Sequence, residues 1–284
     1  MPTTYAHWYF GQQCLEVMPN GLKAIVNKHR SLYDLGVHGP DIFFYSLNDS
    51  SIAKYGSNMH IESGKNIFTL FKSKLNKKDD NYEGKLSYVL GFLTHFIFDS
   101  TAHSYVERKR KYENISHNKV EAEYDRHLIE LYNHRTFNRA KLIKTNKDTI
   151  KVLTAFYPYD ENTVKSFLRL QKMILNFIHA NTEVKRKFVR IIAEKINKPE
   201  YGDLVMGAKE CPVCADSNVR IDKLRQNALT IFPKLLDNLM NYLDNKEELV
   251  SYFENNFEAR ENFESIPVYD YKQELEYIVK PEII

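Results

Sequence analysis

The chain has 284 residues, enough for one large core or two smaller ones. Apolar residues make up 43% and charged residues 27%, the balance of a folded globular protein and not of a disordered one. A formal net charge of +3 argues against a dedicated nucleic-acid binder, and no apolar stretch reaches the roughly 18 residues of a bilayer span.

In chain order, the opening MPTTYAHWYF lacks a charged n-region and an apolar h-region, so no signal peptide is visible and a cytoplasmic location is expected. Helical spacing predicts an amphipathic helix over 3–18, stopped by Pro19-Asn20-Gly21, and a second over 22–33, ended by Leu35-Gly36. A loop carrying Asp41 follows, then a helix over 61–75 and a lysine-rich link over 76–81. The next segment, Tyr88 to Val106, reads YVLGFLTHFIFDSTAHSYV and is apolar nearly all round, so it should be a buried helix. It ends in a basic run, Arg108 to Lys111, expected to be solvated. A helix over 117–132 and a basic, polar stretch over 138–147 close the first half. Helical register returns over 163–179, 183–196, 220–243 and 246–257, and the tyrosine- and acid-rich tail from Ser265 is expected to wrap the surface. These elements describe an all-α protein, divided as 1–145 and a helical C-terminal region, 146–284, that packs on it.

The chemistry lies in the buried helix. His95, Asp99 and His103 stand at i, i+4 and i+8 and share one face. A carboxylate and two imidazoles inside such a helix cost several kcal/mol unless something compensates them, and a divalent metal compensates all three at once. His117 and Glu121, again four apart, add a second pair of nitrogen and oxygen donors, the set that suits zinc. No Gly-x-Ser-x-Gly elbow or glycine-rich phosphate loop competes with this reading. Three cysteines make no disulfide framework: Cys14 belongs to a core face, and Cys211-Pro-Val-Cys214 is expected to be a loop or a redox-sensitive pair. His29, His38, His127, His134 and His179 lack partners at ligand spacing and are expected to be solvent-facing or structural, with His38, three residues before Asp41, the one to watch.

His95-x-x-x-Asp99-x-x-x-His103 followed by His117-x-x-x-Glu121 resembles the zinc-dependent phospholipase C family, whose wider relatives include single-strand-specific nucleases. Ala6-His7-Trp8, Gly39-Pro40-Asp41 and Met59-His60 are similar to that family's remaining ligand positions. The resemblance implies an all-α, multi-helix bundle with a zinc cluster at one end and extra C-terminal helices. It implies two or three Zn2+ per chain: one among Asp41, His60, His95 and Asp99, one held by His103, His117 and Glu121, and a third by His7 with Asp99. Asp41 would double as general base, and a Pro2 amine exposed by loss of Met1 would complete the third site. The expected activity is hydrolysis of a phospholipid or other phosphodiester by metal-activated water, with transient contact to a membrane surface. A nuclease-like phosphoesterase and a metal-stabilised binding protein without turnover are the alternatives. The family's choline-binding groups do not carry over, since Ile42 follows Asp41.

Overall fold

The computed structural model describes residues 4–46, 50–134 and 137–281, and among these no strand occurs. The centre is the 32-residue helix α6, numbered in chain order, Tyr82–Glu113. From Leu86 to Val106 every one of its side chains is buried, as its apolar circumference requires. Helices α1 (Thr4–Val17), α2 (Asn20–Lys28), α3 (Arg30–Gly36), α7 (His117–Leu131) and α12 (Ala215–Leu243) pack around it. The shell is completed by α4 (Ser50–Ile61), α5 (Gly64–Lys74), α8 (Lys147–Phe156), α9 (Glu161–Ile178), α10 (Glu183–Lys195), α11 (Pro199–Gly202) and α13 (Tyr271–Glu276). One apolar core joins buried residues from Tyr5 to Phe257, on both sides of residue 146.

Two glycines make the tightest crossing. A β-carbon on Gly36 would lie 2.2 Å from the Tyr88 carbonyl oxygen, and one on Gly91 2.2 Å from the Tyr33 carbonyl oxygen. With hydrogens there instead, α3 lies backbone to backbone on α6, and this contact sets the start of the Asp41 loop against His95. The polypeptide leaves α6 at Asn114, whose left-handed φ of 52° an asparagine tolerates. Ser116 then caps α7 by accepting the Lys119 N–H, so the His117 turn is fixed directly opposite the α6 ligands.

Several expected boundaries move. The helix expected over 22–33 is two helices that meet at His29, whose carbonyl accepts the Ser87 hydroxyl at 3.1 Å besides the Leu32 and Tyr33 N–H groups of α3. Helices α4 and α8 were not anticipated; Asn146 starts α8 by accepting the Thr149 N–H at 2.9 Å. The helix expected over 246–257 does not form beyond a short turn, Ser251–Glu254. There the Asn238 side chain takes the Glu248 carbonyl and the Val250 N–H, and the Phe257 N–H donates to the His60 carbonyl at 3.0 Å. Nor is the Arg108–Lys111 run wholly solvated: Lys109 is 1% exposed, its Nζ between Glu113 at 2.9 Å and Asp216 at 2.6 Å. In the tail, Arg220 forks both oxygens of buried Glu274, at 2.8 and 2.9 Å, and so holds α13 on α12. Among the described residues no helix is long and apolar enough to cross a membrane.

Candidate metal centre

The ligand candidates come from five elements: α1, the turn Gly39–Phe43, α4, α6 and α7. The turn passes the α6 ligand row closely enough to need Gly39, which sits at φ +51° and whose β-carbon would fall 2.2 Å from the His95 ring. On α1, the turn carrying His7 is tied down from α7. Fully buried Asp125 accepts the Tyr5 N–H at 3.2 Å and the Ala6 N–H at 2.8 Å, while Arg139 pairs with it at 3.1 Å. Burial pushes the Asp125 carboxyl up to about 6, against the pull of Arg139 and the two amides.

Asp99 is central. Its Oδ1 lies 3.4 Å from His7 Nε2, and its Oδ2 lies 3.5 Å from His95 Nε2 and 4.0 Å from His103 Nδ1. The His7 and His95 rings stack at 4.1 Å. His60 Nε2 lies 3.0 Å from Asp41 Oδ1. Farther along α6, His117 stands between Glu107, 2.5 Å from its Nδ1, and Glu121, 2.9 Å from its Nε2. Single donor atoms of His7, His95 and Asp99 fall within 4.8 Å of one another, as do those of Asp41, His60 and His95, and of His103, Glu107 and His117.

Hydrogen-bond polarity shows what this arrangement lacks. His60 Nδ1 faces the Gly56 carbonyl at 2.8 Å, His95 Nδ1 the Val37 carbonyl at 3.1 Å, and His103 Nδ1 the Phe257 carbonyl at 2.5 Å. A carbonyl only accepts, so each Nδ1 carries the hydrogen and a neutral ring offers a lone pair at Nε2. Those lone pairs point at carboxylates, which also only accept. The clash of acceptors is relieved if the ring is protonated or a cation lies between. His117 meets acceptors on both sides: burial alone pushes its ring down, but Glu121 and Glu107 outweigh this and bring it up to about 9. Burial pushes Asp99 up, yet His95 and His7 hold it well below the usual carboxylate range. Asp41 is likewise held low, against burial, by positive neighbours that include His60 and His95.

His7 Nδ1, His95 Nε2, Asp99 Oδ2 and Glu121 Oε2 are buried without a hydrogen-bond partner. A cavity of about 20 Å³ opens among His7, Asp99, His103 and Glu121, room for little more than one small particle. Imidazole nitrogens and carboxylate oxygens, orphaned and converging, fit zinc, and the carbonyls behind His60, His95 and His103 are the outer partners that orient zinc-binding imidazoles. Outward lies an open cleft of about 380 Å³ bordered by Phe44, His60, His103, Glu107, His117 and Glu258.

A family model described as zinc dependent phospholipase C matches residues 6–175, more than half of the 284-residue chain. The chain belongs to the zinc-dependent phospholipase C family. No curated protein and no solved structure matches it. Of the expected ligands of this zinc-dependent phospholipase C, His7, His95 and Asp99 come together, as do Asp41, His60 and His95, while Glu107 and not Glu121 joins the group of His103 and His117. Pro2, the proposed amine ligand, lies outside the described residues.

Two residues of the site, Glu107 and Glu258, escaped the sequence reading. Glu107 continues the four-residue ladder of His95, Asp99 and His103, so its signal was present. Glu258, 3.9 Å from His103, has no local signal, because residues far apart in sequence meet there. His38 is not solvent-facing: it is 2% exposed with Nε2 unpartnered, and burial, then His7 and His95, push its ring down to about 3. Cys211 and Cys214 flank a helical turn at the start of α12, where burial pushes the Cys214 thiol up.

Proposed function

We propose that this enzyme hydrolyses phospholipids in the phospholipase C manner, water attacking phosphorus and the bond from phosphorus to the glycerol oxygen breaking. The observation that carries the reading is the set of orphaned imidazole and carboxylate atoms around a small buried cavity that shares His103 with the open cleft. His7, Asp41, His60, His95, Asp99, His103, His117 and Glu121 would hold two or three zinc ions. When bound, zinc lowers the pKa of water toward about 7 and draws charge from the phosphoryl oxygens. Asp41 accepts the proton of the attacking water at a carboxylate oxygen. His60, its Nδ1–H held by the Gly56 carbonyl, presents its Nε2 toward the same point as the Asp41 carboxylate. Glu107 holds the His117 ring through Nδ1, so that Nε2 faces inward. Phe44, 4.9 Å from the His60 ring, keeps water from one flank of the cleft.

The test is a substrate profile of the zinc-loaded protein on phosphatidylcholine, phosphatidylethanolamine, phosphatidylglycerol, single-stranded DNA and an aryl phosphodiester. Release of diacylglycerol is the expected result. Cleavage of DNA with no release of diacylglycerol from any lipid would reassign the protein to a nuclease activity.

A further inference from the structure

Beside the polar cleft runs a second, apolar cavity of about 260 Å³, between α9, α10 and the turn after Asp41. Its walls include Phe44, Tyr45, Ile174, Ile178, Val189 and Ala193. Phe44 and Tyr201 border both spaces, so the apolar cavity opens where the candidate metal centre begins. At 260 Å³ it falls just short of the roughly 300 Å³ at which pockets for compact drug-sized ligands begin, and it suits one narrow chain.

The outer side of this hairpin carries an independent signal. Helix α10 turns Val189 and Ala193 inward, yet Val184, Phe188 and Ile191, at i, i+4 and i+7, face solvent at 80%, 55% and 49% exposure. On α9, Met173 and Phe177 continue the exposed apolar surface at 65% and 40%. Exposed Lys187, Arg190 and Lys195 lie among them and outnumber the exposed acids of α10, Glu183 and Glu194. An apolar stripe edged with cations is the pattern of a helix lying in a lipid interface. It favours an anionic bilayer over a second copy of this chain, since two such faces would bring like charges together.

The geometry points to one occupant: a phospholipid of an anionic membrane, on which the exposed faces of α9 and α10 lie, with one acyl chain in the groove and its phosphate in the cleft. This assignment rests on the phospholipase reading. It adds the route by which substrate leaves the bilayer, and the whole of α10 falls outside the family-matched residues 6–175.

The experiment places an indole at the groove. Phe177→Trp is made in a Trp8→Phe background, so that it is the only tryptophan, and is mixed with phosphatidylglycerol vesicles carrying brominated acyl chains. Emission should be quenched at least twofold relative to unbrominated vesicles. In the same background, pairing Val184→Asp with Ile191→Asp should lower co-sedimentation with these vesicles at least tenfold, with the melting temperature retained because both positions are exposed. Unquenched emission, or sedimentation indifferent to the paired substitution, overturns the assignment. So does a concentration-dependent dimer that the paired substitution dissolves while vesicle binding persists. Quenching in a protein that releases no diacylglycerol would sink the phospholipase reading and leave the lipid groove standing; diacylglycerol release without quenching would sink the groove alone.

Discussion

The two ends of the cleft break the ordinary rule of burial in opposite senses. At the metal centre, polar atoms are buried without partners: His95 Nε2 and Asp99 Oδ2 lie inside an apolar helix. At the α9–α10 hairpin, apolar side chains are exposed without partners, Val184 at 80% and Met173 at 65%. Each violation carries a cost that a folded chain normally avoids, several kcal/mol for an uncompensated buried charge and less for exposed apolar surface. Each names the ligand that removes it, a cation in one place and hydrocarbon in the other. Once the cation is bound, an amphiphile with a phosphate at one end would meet both, its phosphate at the cation and its chain at the hydrocarbon-seeking face.

Removing metal should split the two regions most sharply. Chelation is expected to abolish activity and to cost about 4 kcal/mol or more of stability, the linkage expected when an ion is present at 1,000 times its dissociation constant. Calorimetry with and without chelator reads the loss, and elemental analysis of the loaded protein should find at least two zinc ions per chain. Stability indifferent to chelator, or one ion at most, would break the contrast at its polar end.

A second test concerns the tether on α1. Asp125 titrates at about 6 in the fold against an ordinary 3.8, so the folded state binds its proton the more readily. Its contribution to stability is therefore greatest below pH 4 and is lost as pH rises through about 6, by at most about 3 kcal/mol. Asp125→Asn, which cannot titrate, should erase that slope; denaturant melts of chelated wild type and variant at pH 4 and 7 compare them, with metal excluded because its own release in acid runs the other way. Parallel pH profiles would mean the carboxylate is not held in this environment.

Asp41→Asn should lower turnover by about 10²-fold or more with the fold retained, because size is kept while the proton acceptor goes. Equal rates would remove Asp41 from the reaction. The smallest effect is expected at Asn114. Replacement by Val at a φ of 52° should destabilise by about 1–2 kcal/mol, and Gly should be neutral or slightly better, as thermal melts would show. If Val is tolerated, the junction of α6 and α7 is not what fixes His117.

How legible each region was follows from the range of the interactions that build it. The metal helix was readable because its signal is local: an apolar circumference interrupted every fourth residue by a donor. The same arithmetic reaches Glu107. The break at His29, where φ is −115° and ψ 38°, was not readable, since no proline or glycine stands there to mark it. Helix α4 hid in a run of serine and asparagine around Gly56, a residue the fold requires because Phe43 leaves no room for a β-carbon. The segment over 246–257 has helical periodicity but follows hydrogen bonds to Asn238 and His60 instead. Glu258 joins the site only through that detour.

His103 takes its orientation from the Phe257 carbonyl, 154 residues downstream. A chain emerging from the ribosome therefore exposes every ligand from His7 to Glu121 long before it can finish the centre they form. During that interval the carboxylates and imidazoles of α6 have neither their metal nor their final neighbours, and quality-control proteases meet a chain whose central helix is poorly compensated. Zinc supply should for that reason govern how much of this protein accumulates in a cell as well as how fast each molecule turns over.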